Sequence, residues 1–273
     1  MLKNLSPEEH IELVPDGIIL LGYRGSIVHG TYLNPEHIED SIDDKDIMGV
    51  CIRDPEYYFG LEDRRFEYPY WSRGTHEHKL REWDSVSYEL RKFVGLLYQA
   101  NPNVLSLLWL EPHHYILRYP EGDRLIENRH LFISKKIYYA FVGYAYGQMK
   151  RMTHGNARGY MGAKRKELLE KFGFDCKNAS HLIRLLRMGI EFLREGELHV
   201  YRHDAPQLIE IKTGQWSLEQ VQQEADHLFK RAEKAYDECK FPNEPDRDKV
   251  NALLVEILTE HFKVQLCQKT ETI

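Results

Sequence analysis

The patterning of this chain changes once, near residue 128, and that change limits its fold more than any other feature. Before it, short apolar runs of the kind that make buried strands alternate with helical stretches. Gly17-Ile-Ile-Leu-Leu-Gly-Tyr23 is one run, Asp46-Ile-Met-Gly-Val-Cys-Ile52 is a second that stops at Asp54-Pro55, and 78–86 alternates loosely as a third. Ser26 stands where it would cap a short helix through His29. A helix is expected over 87–98, and Asn101-Pro102-Asn103 ends it and starts another through Trp109. After residue 128 only helical periodicity remains, over 131–152, 160–172, 178–194, 217–234 and 246–267. Mixed elements followed by helices alone predict an α+β fold, with a first domain over 1–128 and a helical domain over 129–273. The absence of a repeat or a low-complexity linker predicts that the two pack closely.

Charge is distributed as unevenly as structure. The whole chain carries 37 Lys and Arg against 43 Asp and Glu, a formal charge of -6, which excludes a protein that coats nucleic acid by net charge alone. Residues 147–187, however, hold ten basic residues and three acids, a local +7 that leaves -13 on the rest. No apolar run approaches the roughly 20 residues of a bilayer span, and Met1-Leu2-Lys3-Asn4 does not open a signal peptide. A cytoplasmic protein with no membrane partner is expected. Cys51, Cys176, Cys239 and Cys267 are far apart and contain no CxxC pair, so free thiols are expected rather than disulfides or a zinc ribbon.

Three features of the first half suggest chemistry. Gly25-Ser26 falls where a strand should turn into a helix, a place where backbone amides can hold a phosphate and a serine hydroxyl can add a donor; alone, such a dipeptide is usually just a turn. Asp44-Lys45-Asp46 opens an apolar strand, where residues two apart share a side and both carboxylates can meet one hard cation such as Mg²⁺. Read alone, it is equally an acidic loop leading into a strand. Asp84, in Arg81-Glu-Trp-Asp-Ser-Val-Ser, offers a third carboxylate that would complete a two-metal site, or else an N-cap for the helix at Ser87.

Together these residues resemble the signature of the polymerase-β-type nucleotidyltransferase superfamily. Five ordered segments are closer still to one subset: Leu21-Gly-Tyr-Arg-Gly-Ser, Asp44-Lys-Asp-Ile-Met-Gly-Val, Tyr88-Glu-Leu-Arg-Lys-Phe, Asn101-Pro-Asn-Val-Leu and His181-Leu-Ile-Arg-Leu-Leu-Arg-Met-Gly. They look like RlaP, a predicted nucleotidyltransferase family associated with RNA ligases, over about 17–200. The resemblance implies a polymerase-β-like mixed sheet backed by helices, with Mg²⁺ or Mn²⁺ held by Asp44, Asp46 and Asp84. It also implies transfer of a nucleoside monophosphate from an NTP such as ATP to an acceptor, releasing pyrophosphate. Asp44 and Asp46 would bind both metals, Asp84 would serve the acceptor hydroxyl, and Gly25 and Ser26 would hold the NTP phosphates. RNA repair, with an RNA end as acceptor, follows from the family association alone. Ser26 and Asp44 lie 18 positions apart, more than the usual superfamily gap. The added stretch 34–43 reads as a loop at the site mouth, and it leaves open which of Asp43, Asp44 and Asp46 bind metal.

The basic middle can be read against that site. Lys177, His181 and Arg184 share one helical face, while Leu182, Ile183, Leu185, Leu186 and Met188 cover most of the rest. A basic stripe on a mostly buried helix is costly unless an anion meets it. Either NTP or RNA phosphates meet these residues, with Lys164 as a further candidate, or they form ion pairs with the acidic first domain; the resemblance favours phosphate contact. Lys150, Arg151, Arg158, Arg165 and Lys166 read as a solvated basic rim. His76-Glu-His78 and His113-His114 lack partners at zinc-ligand spacing, and Tyr138, Tyr139, Phe141, Tyr144 and Tyr146 read as a packing face. Two other functions remain to be separated from RNA-end modification: nucleotidylation of a protein or small molecule, and a catalytically silent nucleotide sensor or scaffold.

Overall fold

The computed structural model describes residues 12–34, 43, 45–61, 71–80, 82–153 and 163–270. Asp44, the loop stretch 35–42 and the basic residue Arg158 lie outside the described residues. The two apolar runs form β1 (Ile18–Arg24) and β2 (Lys45–Cys51), paired antiparallel with Arg24 opposite Asp46. After α1 (Pro55–Phe59) come β3 (Trp71–Ser72), β4 (Thr75–Leu80) and β5 (Trp83–Glu89), and β6 (Tyr115–Arg118) closes the other edge. The sheet order is β3-β4-β5-β2-β1-β6. Among the described residues only the β2–β5 pair is parallel, so the sheet is mixed as expected.

Several expected boundaries move. The single strand over 78–86 is a hairpin instead: β4 and β5 pair antiparallel, with Leu80 opposite Trp83. The helix expected from Ser87 begins at Leu90 as α2 (Leu90–Tyr98), because Ser85, Val86 and Ser87 stay buried in β5 beside β2. Its cap is Glu89, whose carboxylate accepts from Arg91 and Lys92 N–H, so Asp84 lies inside a strand and caps nothing. Ser26 caps no helix either: 25–30 is a run of turns closed by Thr31 N–H to the Ser26 carbonyl at 2.9 Å.

The remaining helices are α3 (Pro102–Leu105), α4 (Pro120–Glu127), α5 (Lys136–Thr153), α6 (Ala163–Phe172), α7 (Cys176–Glu195), α8 (Ala205–Lys212), α9 (Leu218–Glu238) and α10 (Arg247–Thr270). α1, β3, β6, α4 and α8 were not anticipated; each is short, eight residues or fewer. The central helix is α7, which starts at the Asp175 cap and ends at Gly196, whose φ of 72° provides the left-handed turn that favours glycine. Phe141 of α5 packs against it at Gly189, where an added Cβ would lie 3.0 Å from the Phe141 Cβ.

One apolar core runs from Leu20 and Met48 in the sheet through Leu182 and Leu186 in α7 to Ile257 in α10, so both halves share it. A smaller cluster, Leu13, Leu21, Ile27, Ile47 and Trp83, covers the other face of the sheet. Polar ties add to this contact: Arg124 of α4 pairs with Glu256 and Glu260 of α10, and His261 lies 2.7 Å from Glu121. Among the described residues, no helix is long and apolar enough to cross a membrane. Cys51, Cys176 and Cys239 are buried free thiols.

Candidate active site

The strand ends and the central helix converge on a cavity of about 200 Å³. Its sheet side is built by Arg24, Gly25 and Ser26 at the end of β1 and by Asp46 and Met48 on β2. Asp46 and Met48 are two apart in a strand and so share its cavity face. The opposite wall is α7, which presents Lys177, Ser180, His181, Arg184 and Met188, with Lys212 from the end of α8. Asn103, Phe141 and Tyr144 also line it, as do His29 and Asp43, and the Asn103 amide donates to the Tyr144 hydroxyl at 3.3 Å.

Gly25 is shaped for this position. Its φ is +67°, and a Cβ built there would stand 2.6 Å from Asp46 Oδ2. The backbone therefore touches the carboxylate, and an alanine would both strain the turn and displace the acid. Gly25→Ala is expected to cost about 1–2 kcal/mol of stability and to reduce turnover far more than the change in melting temperature explains. Turnover that falls only in proportion to folded protein would remove Gly25 from the site.

Asp46 also lies 3.7 Å from the Arg24 guanidinium. Its in-register neighbour on the parallel strand is Asp84, which puts both carboxylates on one face of the sheet. Asp84 is not part of the cavity lining; it lies beside it, partly exposed, with Lys79 Nζ 3.0 Å from one carboxylate oxygen. Two hard carboxylates side by side suit a divalent cation. No group of three His, Cys, Asp or Glu converges as a metal site among the described residues, a set that excludes Asp44.

The basic wall divides by its partners. Lys177 Nζ is 3.7 Å from Asp43, and Lys212 Nζ pairs with the same carboxylate, so Asp43 ties both lysines of this wall to the first half. Arg184 differs. Its side chain is buried, 6% exposed, and its one described hydrogen bond runs from Nη1 to the Met188 sulfur at 3.2 Å. No described carboxylate lies within ion-pair distance of it. Burial, reinforced by Arg202, pushes its pKa down to about 9. Arg202 makes the contrast clear: it is equally buried, yet Glu191 and Asp204 both hold it. His29 donates Nδ1–H to the Val200 carbonyl at 2.8 Å, and burial, with Arg184 near, holds its pKa well below the usual histidine range. It is a neutral residue beside a cationic wall.

Gly25, Ser26, Asp46, Lys177, His181 and Arg184 thus line one cavity, although they lie up to 159 positions apart in the chain. Lys212, His29 and Asn103 were missed. Lys212 carries no signal that would have found it, being a lone lysine ending a short helix; Asn103 lay within the Asn101-Pro-Asn segment, which was read as a helix start and as one of the five resembling segments but given no role in the site. The aromatic face divides: Phe141 is buried, Tyr144 lines the cavity, and Tyr139 is 62% exposed with its hydroxyl against that of Tyr236.

Comparison with family models matches residues 10–256 to RlaP, described as the RNA repair pathway DNA polymerase beta family. No curated protein and no solved structure matches the chain.

Proposed function

Since the chain belongs to the RNA repair pathway DNA polymerase beta family, which supports a nucleotidyltransferase-type role, we propose that it transfers a nucleoside monophosphate from an NTP to a hydroxyl acceptor, an RNA end, and releases pyrophosphate. The observation that carries this reading is Arg184: a buried guanidinium without a described carboxylate partner, on the wall opposite Asp46, Gly25 and Ser26. A cation buried in this way is stable only where an anion completes it, and a polyphosphate is the anion that the opposite wall fits.

In this reading Arg184, His181 and Lys177 neutralise and orient the phosphate chain, while the Gly25-Ser26 turn meets it from the sheet side. Asp46, with Asp44 and Asp84, holds Mg²⁺ or Mn²⁺; the adjacent, in-register carboxylates of Asp46 and Asp84 fit such an ion. When bound, the ion supplies Lewis acidity toward phosphate and lowers the pKa of an attacking hydroxyl. Asp84, beside the cavity rather than inside it, stands where an acceptor hydroxyl can approach and takes part in its deprotonation. Catalysis here consists of positioning and charge stabilisation, which a preorganised cationic wall provides.

Incubation with each α-labelled NTP, Mg²⁺ or Mn²⁺, and pools of RNA, protein and small-molecule acceptors tests this reading. Label is expected on RNA, with binding that weakens as salt rises. Label found only on protein or a small molecule would keep the reaction and overturn the acceptor. Binding of NTP without transfer to any pool would overturn the reaction and leave a nucleotide sensor.

A further inference from the structure

Asp43 and Lys212 form a buried junction that the proposed chemistry does not use. The Asp43 side chain has no exposed surface and that of Lys212 has 8%. Lys212 Nζ donates to Asp43 and, at 2.9 Å, to the Thr31 carbonyl. Asp43 also accepts the Leu33 N–H at 2.8 Å. Three distant stretches therefore meet at one carboxylate: the 31–33 stretch after the site turn, the residue two before β2, and the last residue of α8.

The opposite, N-terminal end of α8 is also fixed in place, so the helix is held at both ends. Asp204, the residue before the helix, is gripped by Arg187 at 2.8 Å and by Arg202 at 2.8 Å. Burying such an ion pair adds little net stability compared with apolar replacements, but removing one partner is costly. Its value lies in admitting one geometry. Asp43 is three residues before Asp46, so the junction fixes the start of the strand that carries the candidate metal ligand.

We propose that Lys212 is a positioning residue for nucleotidyl transfer: acting through Asp43, it sets where β2 enters the cavity and hence where the Asp46 carboxylate stands. The proposal rests on the nucleotidyl-transfer reading. It also assigns Asp43 as the counter-ion of Lys212 and Lys177 rather than as a metal ligand.

The test compares the native chain with the double variant Asp43→Asn, Lys212→Met, which removes both charges of the buried pair together, and with Lys212→Arg, which keeps the charge and changes its reach. Melting temperature, amide hydrogen exchange over 45–48, and kcat and KM for the NTP are measured. Both variants are expected to fold, to exchange faster over 45–48, and to lose kcat while KM changes little; a displacement near 1 Å costs about a hundredfold. If the double variant does not fold, Lys212→Arg carries the same comparison. Native exchange with native kcat would overturn the proposal, leaving the pair as packing only. Native kcat with a raised KM would also overturn it, making Lys212 a direct phosphate contact. If the native chain transfers no label, the nucleotidyl-transfer reading fails, and exchange over 45–48 still decides whether Lys212 orders the strand.

Discussion

Arg184→Met is expected to stabilise the empty protein and to weaken its substrate binding. Methionine fills much of the same space against Met188 without burying an uncompensated charge. Replacing buried charge by well-packed apolar side chains is often stabilising, by about 1–4 kcal/mol, which raises the melting temperature by several degrees. The same change removes the cation that the phosphate chain would complete. Truncating one partner of a buried charge contact costs about 2–5 kcal/mol, so KM for the NTP is expected to rise roughly 30-fold or more. The opposite signs make the test sharp. Thermal melts in the absence of ligand and steady-state kinetics measure the two halves separately. A lower melting temperature with unchanged KM would make Arg184 a structural residue held by contacts unrelated to phosphate.

Asp46→Asn is expected to remove the response of the protein to divalent ions. Ligand that binds only the folded state raises stability by about 2.7 kcal/mol at a hundred times Kd. Titrating Mn²⁺ into the native chain should therefore raise the melting temperature by several degrees, and the asparagine variant should show little shift. The substitution is nearly isosteric and leaves the contact with Gly25 intact, so the unliganded fold should survive. A full Mn²⁺ shift in Asp46→Asn would move the metal away from β2.

The strands that carry the site were legible because their chemistry is local. Ile18–Arg24 and Lys45–Cys51 announce themselves as apolar runs bounded by turn residues, and Asp46 opens the second. The central helix was legible for the same reason, since Leu182 to Met188 leave a narrow polar face on which Lys177, His181 and Arg184 recur. What the sequence hid depends on tertiary contact. The sequence alone could not show that Lys177 would meet Asp43 while Arg184 would meet no acid among the described residues, because the two lie two helical turns apart on one face. Lys212 reaches Asp43 across 169 positions, and no local period marks such a pair. The hairpin of β4 and β5 was missed because a six-residue strand with exposed Glu77, Lys79 and partly exposed Leu80 alternates too weakly to show its turn. Ser87 misled in the other direction: its capping chemistry is real, but burial between neighbouring strands outweighs it.

The charge pole found in the sequence acquires a more specific meaning. Part of it is neutralised internally, by Asp43 for Lys177 and by Asp204 and Glu224 for Arg187. Toward the cavity stands Arg184, with no described carboxylate at ion-pair distance, on the wall opposite Asp46, where the proposed reading puts a phosphate chain.

The most direct measurement is transfer of α-labelled nucleotide, in Mg²⁺ or Mn²⁺, by the native chain and by a double Asp44→Ala, Asp46→Ala variant that folds. The account predicts labelled acceptor and released pyrophosphate from the native chain, and a loss of about a thousandfold or more in the variant, on the scale of removing a principal charge-stabilising group. Transfer that persists in the variant at the native rate would contradict it.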